Sequence, residues 1–417
     1  MRGSKRRWPW VVATVVVVAV GLALLMTGAR PWVPERRAAT AQEVDTARAA
    51  FRQIKLGRQT GKPGMLRLYA ADVDAIDALV SQGFAPTRLD LKLGKGAVAA
   101  TVSRPMLGRW VNIRVEAHGT SVGFPALRTR IGMVVLPGWA SRIGLNLGRW
   151  VLLARGAHLP PLDQMVQSSR IVGDIAEARI LLPKSGLVDQ TVVSNEVAID
   201  DAAVAKIYCS LTRAQRAAHE RSFSQQLRRA FSAAAATPEG HGAAFVALAM
   251  FAVDPRAGQL AGYAQAKARP CLAPVPTLTL DGRGDSPKHW ALSAALTVTT
   301  GGEFATAMGE WKELSDSLKA GTVDAPGDRS GFSFVDLATD RAGYLYARKA
   351  IDPARMASAR ARLLAASDEM LLPVAMTKLN DGMDNGEFVR RFGGTDDARF
   401  QRALARIDGA LKAAGID

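Results

Sequence analysis

The sequence predicts an α+β protein: an N-terminal transmembrane helix, then an α+β domain with an antiparallel sheet, then a mainly α-helical C-terminal domain. Three observations predict this class. An uncharged apolar run extends over Trp8–Ala29, residues 111–117 alternate strictly between apolar and polar, and an Ala-rich helical period follows Ser194. A chain of 417 residues with 48% apolar residues can build two or three cores, so more than one folded domain is expected.

The apolar run is long enough to cross a bilayer, because about 20 helical residues cover the hydrocarbon layer. We therefore predict a cytoplasmic tail over 1–7, an anchor over 8–29 and a stalk over 30–64. Basic residues in the tail favour a single-pass protein of the bacterial inner membrane with most of the chain in the periplasm. A cleaved signal peptide is the alternative, but the small residues Ala39-Thr40-Ala41 lie far beyond the apolar run.

The chain has two cysteines, Cys209 and Cys271. In an oxidising compartment such cysteines persist as a disulfide, so we predict that they pair. Two separate buried thiols are the alternative. Neither cysteine has a neighbouring His or Cys at the spacing of a zinc site.

The α+β domain is predicted over 65–190. It begins with a short strand, and a helix follows with Val73, Ile76 and Val80 on one face. Several alternating segments then predict an antiparallel sheet with helices on one side. Two further helices, Trp139–Leu153 and Pro161–Ser169, precede a last strand.

Residues 66–187 resemble the YpmS-like extracytoplasmic domains, through the leading segment LRLYAADVDAI and the later Leu136-Pro137 turn. The resemblance implies a domain that offers an apolar groove or sheet edge to an envelope component. Ordinary core packing is the alternative explanation of the same pattern.

The C-terminal domain is predicted over 195–417 as a set of helices. Ser210–Ala236 is expected to be one helix with a basic face. Gly242–Ala252 is almost entirely apolar and too short to span a membrane, so it should be a buried core helix. Asp352-Pro353 should begin another helix, with proline at its first position.

Polar side chains recur between three short helices of this domain. A helix opening at Lys288 and a second after a two-glycine turn should lie side by side. A third helix begins after Ser333, which has the character of an N-cap. Helical spacing would bring one histidine and four carboxylates together, as an acid–base pair or as ligands of a divalent metal. These residues are His289, Glu313, Asp316, Asp336 and Asp340.

The segments KHW, WKEL and SGFSF within residues 288–343 resemble YfiM-like lipoproteins and, more loosely, VanZ-like proteins. The resemblance implies that the same five residues form a site, without implying a particular reaction. Structural hydrogen bonding and helix capping are the competing interpretation. We expect clustering under both interpretations, because an inward carboxylate must be paired.

Composition limits the function classes. The excess of 54 Lys+Arg over 38 Asp+Glu gives a net charge of +16, which favours anionic lipid or envelope glycan as partner. No Walker, Rossmann, zinc-finger or GxSxG motif occurs, and nucleic acid is not expected outside the cytoplasm. Two functions stay open: an envelope hydrolase, and a non-catalytic protein that binds lipid or an assembly partner. The pattern assigns no cofactor and leaves the metal unknown.

Overall fold

The computed structural model describes the backbone of a defined part of the chain. The described residues are 21, 24–35, 39–60, 62–83, 86–154, 159–181, 197–300, 312 and 331–416. They form two compact units. The first contains the described residues of Met1–Arg37 and Thr46–Lys184, and the second those of Ala38–Asp45 and Ser185–Asp417.

The first unit is α+β, as predicted. Its strands and helices are, in chain order, β1 (Thr27–Gly28), α1 (Ala41–Thr60), β2 (Gly64–Tyr69), α2 (Ala70–Gly83), β3 (Arg88–Gly94), β4 (Ala97–Met106), β5 (Arg109–His118), β6 (Ala126–Ile131), β7 (Val134–Leu136), α3 (Gly138–Ala154), α4 (Leu162–Met165), β8 (Val166–Val172) and β9 (Ile175–Ile180). The first residues of α1, up to Asp45, belong to the second unit.

Two antiparallel sheets organise this unit. Strands β3 to β7 pair in sequence order and β1 pairs with β5, whereas the smaller sheet has the order β2-β9-β8. The β3–β4 and β4–β5 hairpins turn on Lys95-Gly96 and Leu107-Gly108, where all four residues have positive φ. Two-residue turns of this kind match the twist of the flanking strands and fix their register. Consequently Asp90, Thr101, Arg114 and Arg130 stand in one row across four strands.

Two residues at the start of the predicted stalk, Trp32 and Val33, hydrogen-bond to the larger sheet. The backbone N–H of Val33 donates to Ser103 Oγ at 3.1 Å, and that of Trp32 donates to Asn112 Oδ1 at 2.9 Å. Val33 is only 1% exposed. Residues just after the apolar run therefore pack on the sheet, since β4 and β5 supply polar side chains that satisfy their backbone.

Only part of the predicted anchor is described. Its last residues form β1, where Thr27 pairs with Val111 and Gly28 with Trp110. Most of the predicted span lies outside the described residues, and no helix among those described is both long and apolar enough to cross a membrane.

The predicted helix Pro161–Ser169 is wrong beyond its first turn. The helix α4 ends at Met165, and β8 begins at Val166. The tertiary pairing of β8 with β9 overrides the local helical pattern there, with β-branched Val172 opposite Ile175 at the turn.

The second unit is helical. Its helices are α5 (Asp201–Ala218), α6 (Phe223–Ala233), α7 (Pro238–Ala252), α8 (Ala264–Lys267), α9 (Ser286–Thr300), α10 (Phe334–Ile351), α11 (Met356–Leu364), α12 (Asp368–Leu371), α13 (Asn385–Phe392) and α14 (Ala398–Ala413), with short 3-10 helices at Pro255–Ala261, Arg269–Cys271 and Val374–Lys378.

The predicted core helix and disulfide are both present. From Gly240 to the end of α7 every residue is buried. Cys209 Sγ and Cys271 Sγ are bonded, with their Cα atoms 5.2 Å apart, which lies within the usual disulfide range.

Two helix boundaries of the second unit differ from prediction. The expected single helix Ser210–Ala236 breaks after α5, because His219 adopts a left-handed C-cap conformation and Ser222 caps the start of α6. Asp352 is the C-cap of α10 and not the start of a helix. The helix α11 begins only at Met356, after a turn in which the Asp352 carbonyl accepts from Arg355 N–H at 2.9 Å.

Candidate functional site

The candidate site lies between α9 and α10, which carry His289 and the two aspartates. The Ser333 hydroxyl accepts a hydrogen bond from the backbone N–H of Asp336 at 3.0 Å. This N-cap fixes the start of α10, so that Asp336 and Asp340 stand one turn apart on the same face. Further along, a side chain at Gly343 would collide with the Trp290 carbonyl, so glycine permits the close approach of the two helices.

The His289 ring lies between two carboxylates. Its Nδ1 is 3.2 Å from both Oδ1 and Oδ2 of Asp340, and its Nε2 is 3.2 Å from Asp336 Oδ2. All three side chains are about nine-tenths buried. Both ring nitrogens are therefore engaged by acceptors, which is the arrangement of an imidazolium and not of a neutral imidazole.

The electrostatics agree with this geometry. Burial by itself lowers the pKa of His289, because it disfavours the charged ring. The carboxylates of Asp340 and Asp336 outweigh burial and raise that pKa well above its ordinary value. At neutral pH His289 is consequently a cation that donates from both nitrogens, with no lone pair available to remove a proton or bind a metal.

An arginine extends the ion-pair network beyond the predicted residues. Arg283 Nη1 lies 2.9 Å from Asp381 Oδ2, and its Nη2 lies 2.7 Å from Asp285 Oδ2 and 3.9 Å from Asp336 Oδ1. Sequence reasoning missed this residue. The signal available was the turn DGRGD, in which an arginine two residues from an aspartate precedes α9.

Two polar residues beside the site, Ser293 and Arg341, have different partners. The Ser293 hydroxyl donates to the Asp340 backbone carbonyl at 2.7 Å, so Ser293 joins the two helices without touching the carboxylate. Arg341, which follows Asp340 in the chain, donates two hydrogen bonds to the Asp408 carboxylate at 2.5 and 2.6 Å. It therefore ties α10 to α14.

The remaining predicted residues, Glu313 and Asp316, lie outside the described part of the chain, and the catalytic role of all five residues stays a prediction. Among the described residues, no group of three or more His, Cys, Asp or Glu side chains is arranged to hold a metal ion. The described portion of the site is an ion-pair network of Arg283, His289, Asp336 and Asp340.

A second candidate site is an open cleft on the polar face of the larger sheet. It has a volume of about 440 Å³ and is lined by Trp32, Pro34, Asp90, Lys92, Thr101, Arg114 and Arg130. Three of the lining residues are cationic and one is anionic. Lys92 Nζ lies 3.6 Å from Asp90 Oδ2 and Arg114 Nε lies 2.9 Å from Glu116 Oε1, so two of the three cations already have a carboxylate partner. The Arg130 guanidinium stacks 5.2 Å from the centre of the Trp32 ring, a geometry that holds the cation in place.

The sequence contained one signal for this cleft. Strict alternation in β5 places Arg114 and Glu116 on the same face, and the register then aligns Arg114 with Arg130. The contribution of Trp32 could not be read from its position in the predicted stalk. No protein-family model, curated protein or solved structure matches this chain, so the YfiM-like, VanZ-like and YpmS-like resemblances stay predictions.

Proposed function

We propose that this is a membrane-anchored protein of the bacterial periplasm that binds an anionic envelope ligand through its α+β unit. The ligand carries a phosphate or carboxylate group, as lipid headgroups and acidic glycans do. In this proposal the helical unit is a non-catalytic scaffold, and its buried ion pairs stabilise the packing of α9 against α10.

The cationic cleft is the observation that carries the proposal. Arg114 and Arg130 occupy one row of the sheet, and Lys92 lies on the edge strand β3, which β4 separates from β5. Planar guanidinium groups bind carboxylate and phosphate through paired, charge-assisted hydrogen bonds. An open cleft lined by such groups and by Trp32 suits a polar anion better than an apolar chain.

The state of His289 supports the scaffold role. A general base must have a free nitrogen within reach of substrate. In contrast, both nitrogens of His289 face carboxylates and the side chain is only 8% exposed. The same ion pairs that raise its pKa therefore remove the proton acceptor that a histidine-based hydrolase needs.

Two further features support the compartment. The Cys209–Cys271 disulfide is typical of proteins outside the reducing cytoplasm. The apolar run over 8–29 with basic residues before it is typical of an uncleaved anchor.

Ligand binding to the detergent-solubilised full chain tests the proposal. The probes are short-chain phosphatidylglycerol and an acidic oligouronate, measured by isothermal titration calorimetry. Arg130→Gln should weaken binding of the preferred probe about tenfold, the equivalent of one charge-assisted hydrogen bond. Arg170→Gln, an exposed arginine of β8 in the smaller sheet, is the matched control and should bind normally. Equal affinity of both variants and the unaltered protein, or binding of neither probe, would refute the cleft as the ligand site.

The hydrolase is kept as a second candidate because of one observation. Asp336 Oδ1 is buried and accepts no hydrogen bond within the described structure. Buried polar atoms of this kind are often found at functional sites. Replacing the chromosomal copy with Glu313→Gln tests this candidate: a folded variant that has lost the phenotype of the unaltered gene would favour a hydrolase, and full complementation would exclude Glu313 as its base.

A further inference from the structure

Helix α3 has an apolar face that the protein leaves uncovered. Trp139 is 69% exposed, Ile143 59%, Leu147 64% and Trp150 64%. At 100° per residue these four positions fall within an arc of about 80° on the helix. Among the α3 side chains that the structure describes, only Ser141 is buried. Such a continuous exposed apolar face marks a surface that contacts something else.

One flank of α3 is fixed to its own unit by both of its arginines. Arg142 forms an ion pair with Asp163, and Arg149 Nε donates to the carbonyl oxygens of Leu159 and Pro160 at 3.2 and 2.9 Å. The helix contains no acidic residue. These contacts hold α3 against its own unit and leave its four apolar side chains exposed.

The predicted membrane anchor ends beside the start of α3. The Leu25 carbonyl accepts a hydrogen bond from Met133 N–H at 2.8 Å, and Met133 directly precedes β7. Met133 is separated from the first residue of α3 by at most about 17 Å of extended chain. Leu24 is 53% exposed and Met133 73%, so uncovered apolar side chains occur on both partners of this junction.

We propose that α3 lies in the headgroup region of the same bilayer that holds the anchor, with Trp139, Ile143, Leu147 and Trp150 inserted among the lipids. The inference rests on the membrane anchoring in the proposed function. Amphipathic helices with tryptophan on the apolar side and basic residues beside it bind at this depth, about 5–10 Å into the boundary. The junction with the anchor selects lipid as the occupant, because it holds α3 near the membrane surface.

The proposed position of α3 at the membrane favours a phosphate-bearing headgroup as the ligand of the cleft. Arg130 pairs across the sheet with Val135 in β7, the strand that leads into α3. A unit held against lipid by α3 would thus present the cleft of its polar sheet face near the membrane surface, where phosphate-bearing headgroups are concentrated.

Depth-dependent quenching in the full chain tests the inference. Leu147→Cys and Gly148→Cys are each labelled with the fluorophore NBD, with the native disulfide left intact, and reconstituted into phosphatidylethanolamine–phosphatidylglycerol vesicles. Gly148 is the matched control, because it is exposed with open space around it and lies about 100° away from Leu147 on the helix. Nitroxide-labelled lipid should quench the label at Leu147 roughly twofold or more compared with Gly148, with a blue-shifted emission only at Leu147.

The outcomes separate this inference from the anchoring on which it rests. Protein that fails to float with the vesicles refutes the anchor, and the quenching is measured only on the floating fraction. Equal, weak quenching at both positions in that fraction overturns the placement of α3. A blue shift at Leu147 that lipid nitroxides do not quench, and that disappears on dilution with lipid, shows that a second copy covers the face and likewise overturns it.

Discussion

The two units of this protein bury their apolar residues very differently. In the helical unit, Trp290 is fully buried and contacts the rings of Phe223, Phe245 and Tyr346 at centroid distances of 5.5, 6.0 and 5.7 Å. The twelve largest fully buried side chains of the described structure all belong to this unit. Its helices therefore enclose a complete aromatic and aliphatic core.

The α+β unit has a thinner core. Its buried apolar residues among those described are five alanines, three leucines and two valines. The apolar positions of β5, among them Ile113 and Val115, are only half-buried, and α3 exposes two tryptophans.

The difference indicates how each unit is stabilised. Burial of apolar area contributes about 25 cal/mol per Å², so the helical unit has ample stabilisation of its own. A unit that leaves large side chains in water forgoes part of that contribution. Most of the exposed large apolar side chains among the described residues belong to the α+β unit.

The strongest test of this contrast substitutes tryptophan by alanine in each unit. Trp290→Ala should lower the free energy of unfolding by about 4 kcal/mol, because it leaves a large cavity. Trp139→Ala should change it by less than about 0.5 kcal/mol, because Trp139 is 69% exposed and its removal leaves no cavity inside the protein. Urea unfolding of the detergent-solubilised chain measures both values, and a large loss for Trp139→Ala would contradict the contrast.

The disulfide should make the next largest contribution. Cys209 and Cys271 are 62 residues apart, and closing such a loop stabilises the folded state by about 4 kcal/mol on the chain-entropy model, less any native strain. Cys209→Ser with Cys271→Ser should destabilise the helical unit selectively. Hydrogen–deuterium exchange resolved by peptide would detect faster exchange in α5 and α7 and unchanged exchange in β4 and β5. Faster exchange in both units alike would argue against two independent cores.

A smaller effect on the free energy of unfolding comes from pH. It involves two buried histidines whose pKa values are shifted in opposite directions. The pKa of His289 is raised, so its ion pairs stabilise the fold fully below the ordinary histidine pKa of about 6.5 and are lost as pH rises through the raised value. Burial lowers the pKa of His241, whose Nδ1 lies 2.7 Å from the Ala350 carbonyl. His241 therefore destabilises the fold as pH falls below about 6.5.

Urea unfolding across this pH range separates the two histidines. His289→Gln should reduce the loss of unfolding free energy that occurs as pH rises. His241→Gln should reduce the loss of unfolding free energy that occurs as pH falls. Asp340→Ala should cost about 3 kcal/mol at neutral pH, since it leaves the buried imidazolium with one partner fewer. An alkaline decline that persists in His289→Gln would show that another group causes it.

Local sequence rules determined much of this protein. Some features depend only on residues close together in the chain, so their sequence patterns predict them directly. These features are the Ser333 N-cap, the buried helix α7 and the alternating strand β5. The disulfide followed from the cysteine count and the predicted compartment. The grouping of His289 with Asp336 and Asp340 was expected because helical spacing and the cost of an unpaired buried charge both require it.

Only the tertiary structure decided what these residues do together. Strand pairing turned residues 166–169 from predicted helix into β8, because ladder hydrogen bonds and packing outweigh a weak local preference. Arg283 joins the site through Asp336, and it also pairs with Asp381, which lies 98 residues further along the chain. Whether His289 is a base or a cation depends on how many carboxylates face its ring, and no spacing along one chain specifies that number.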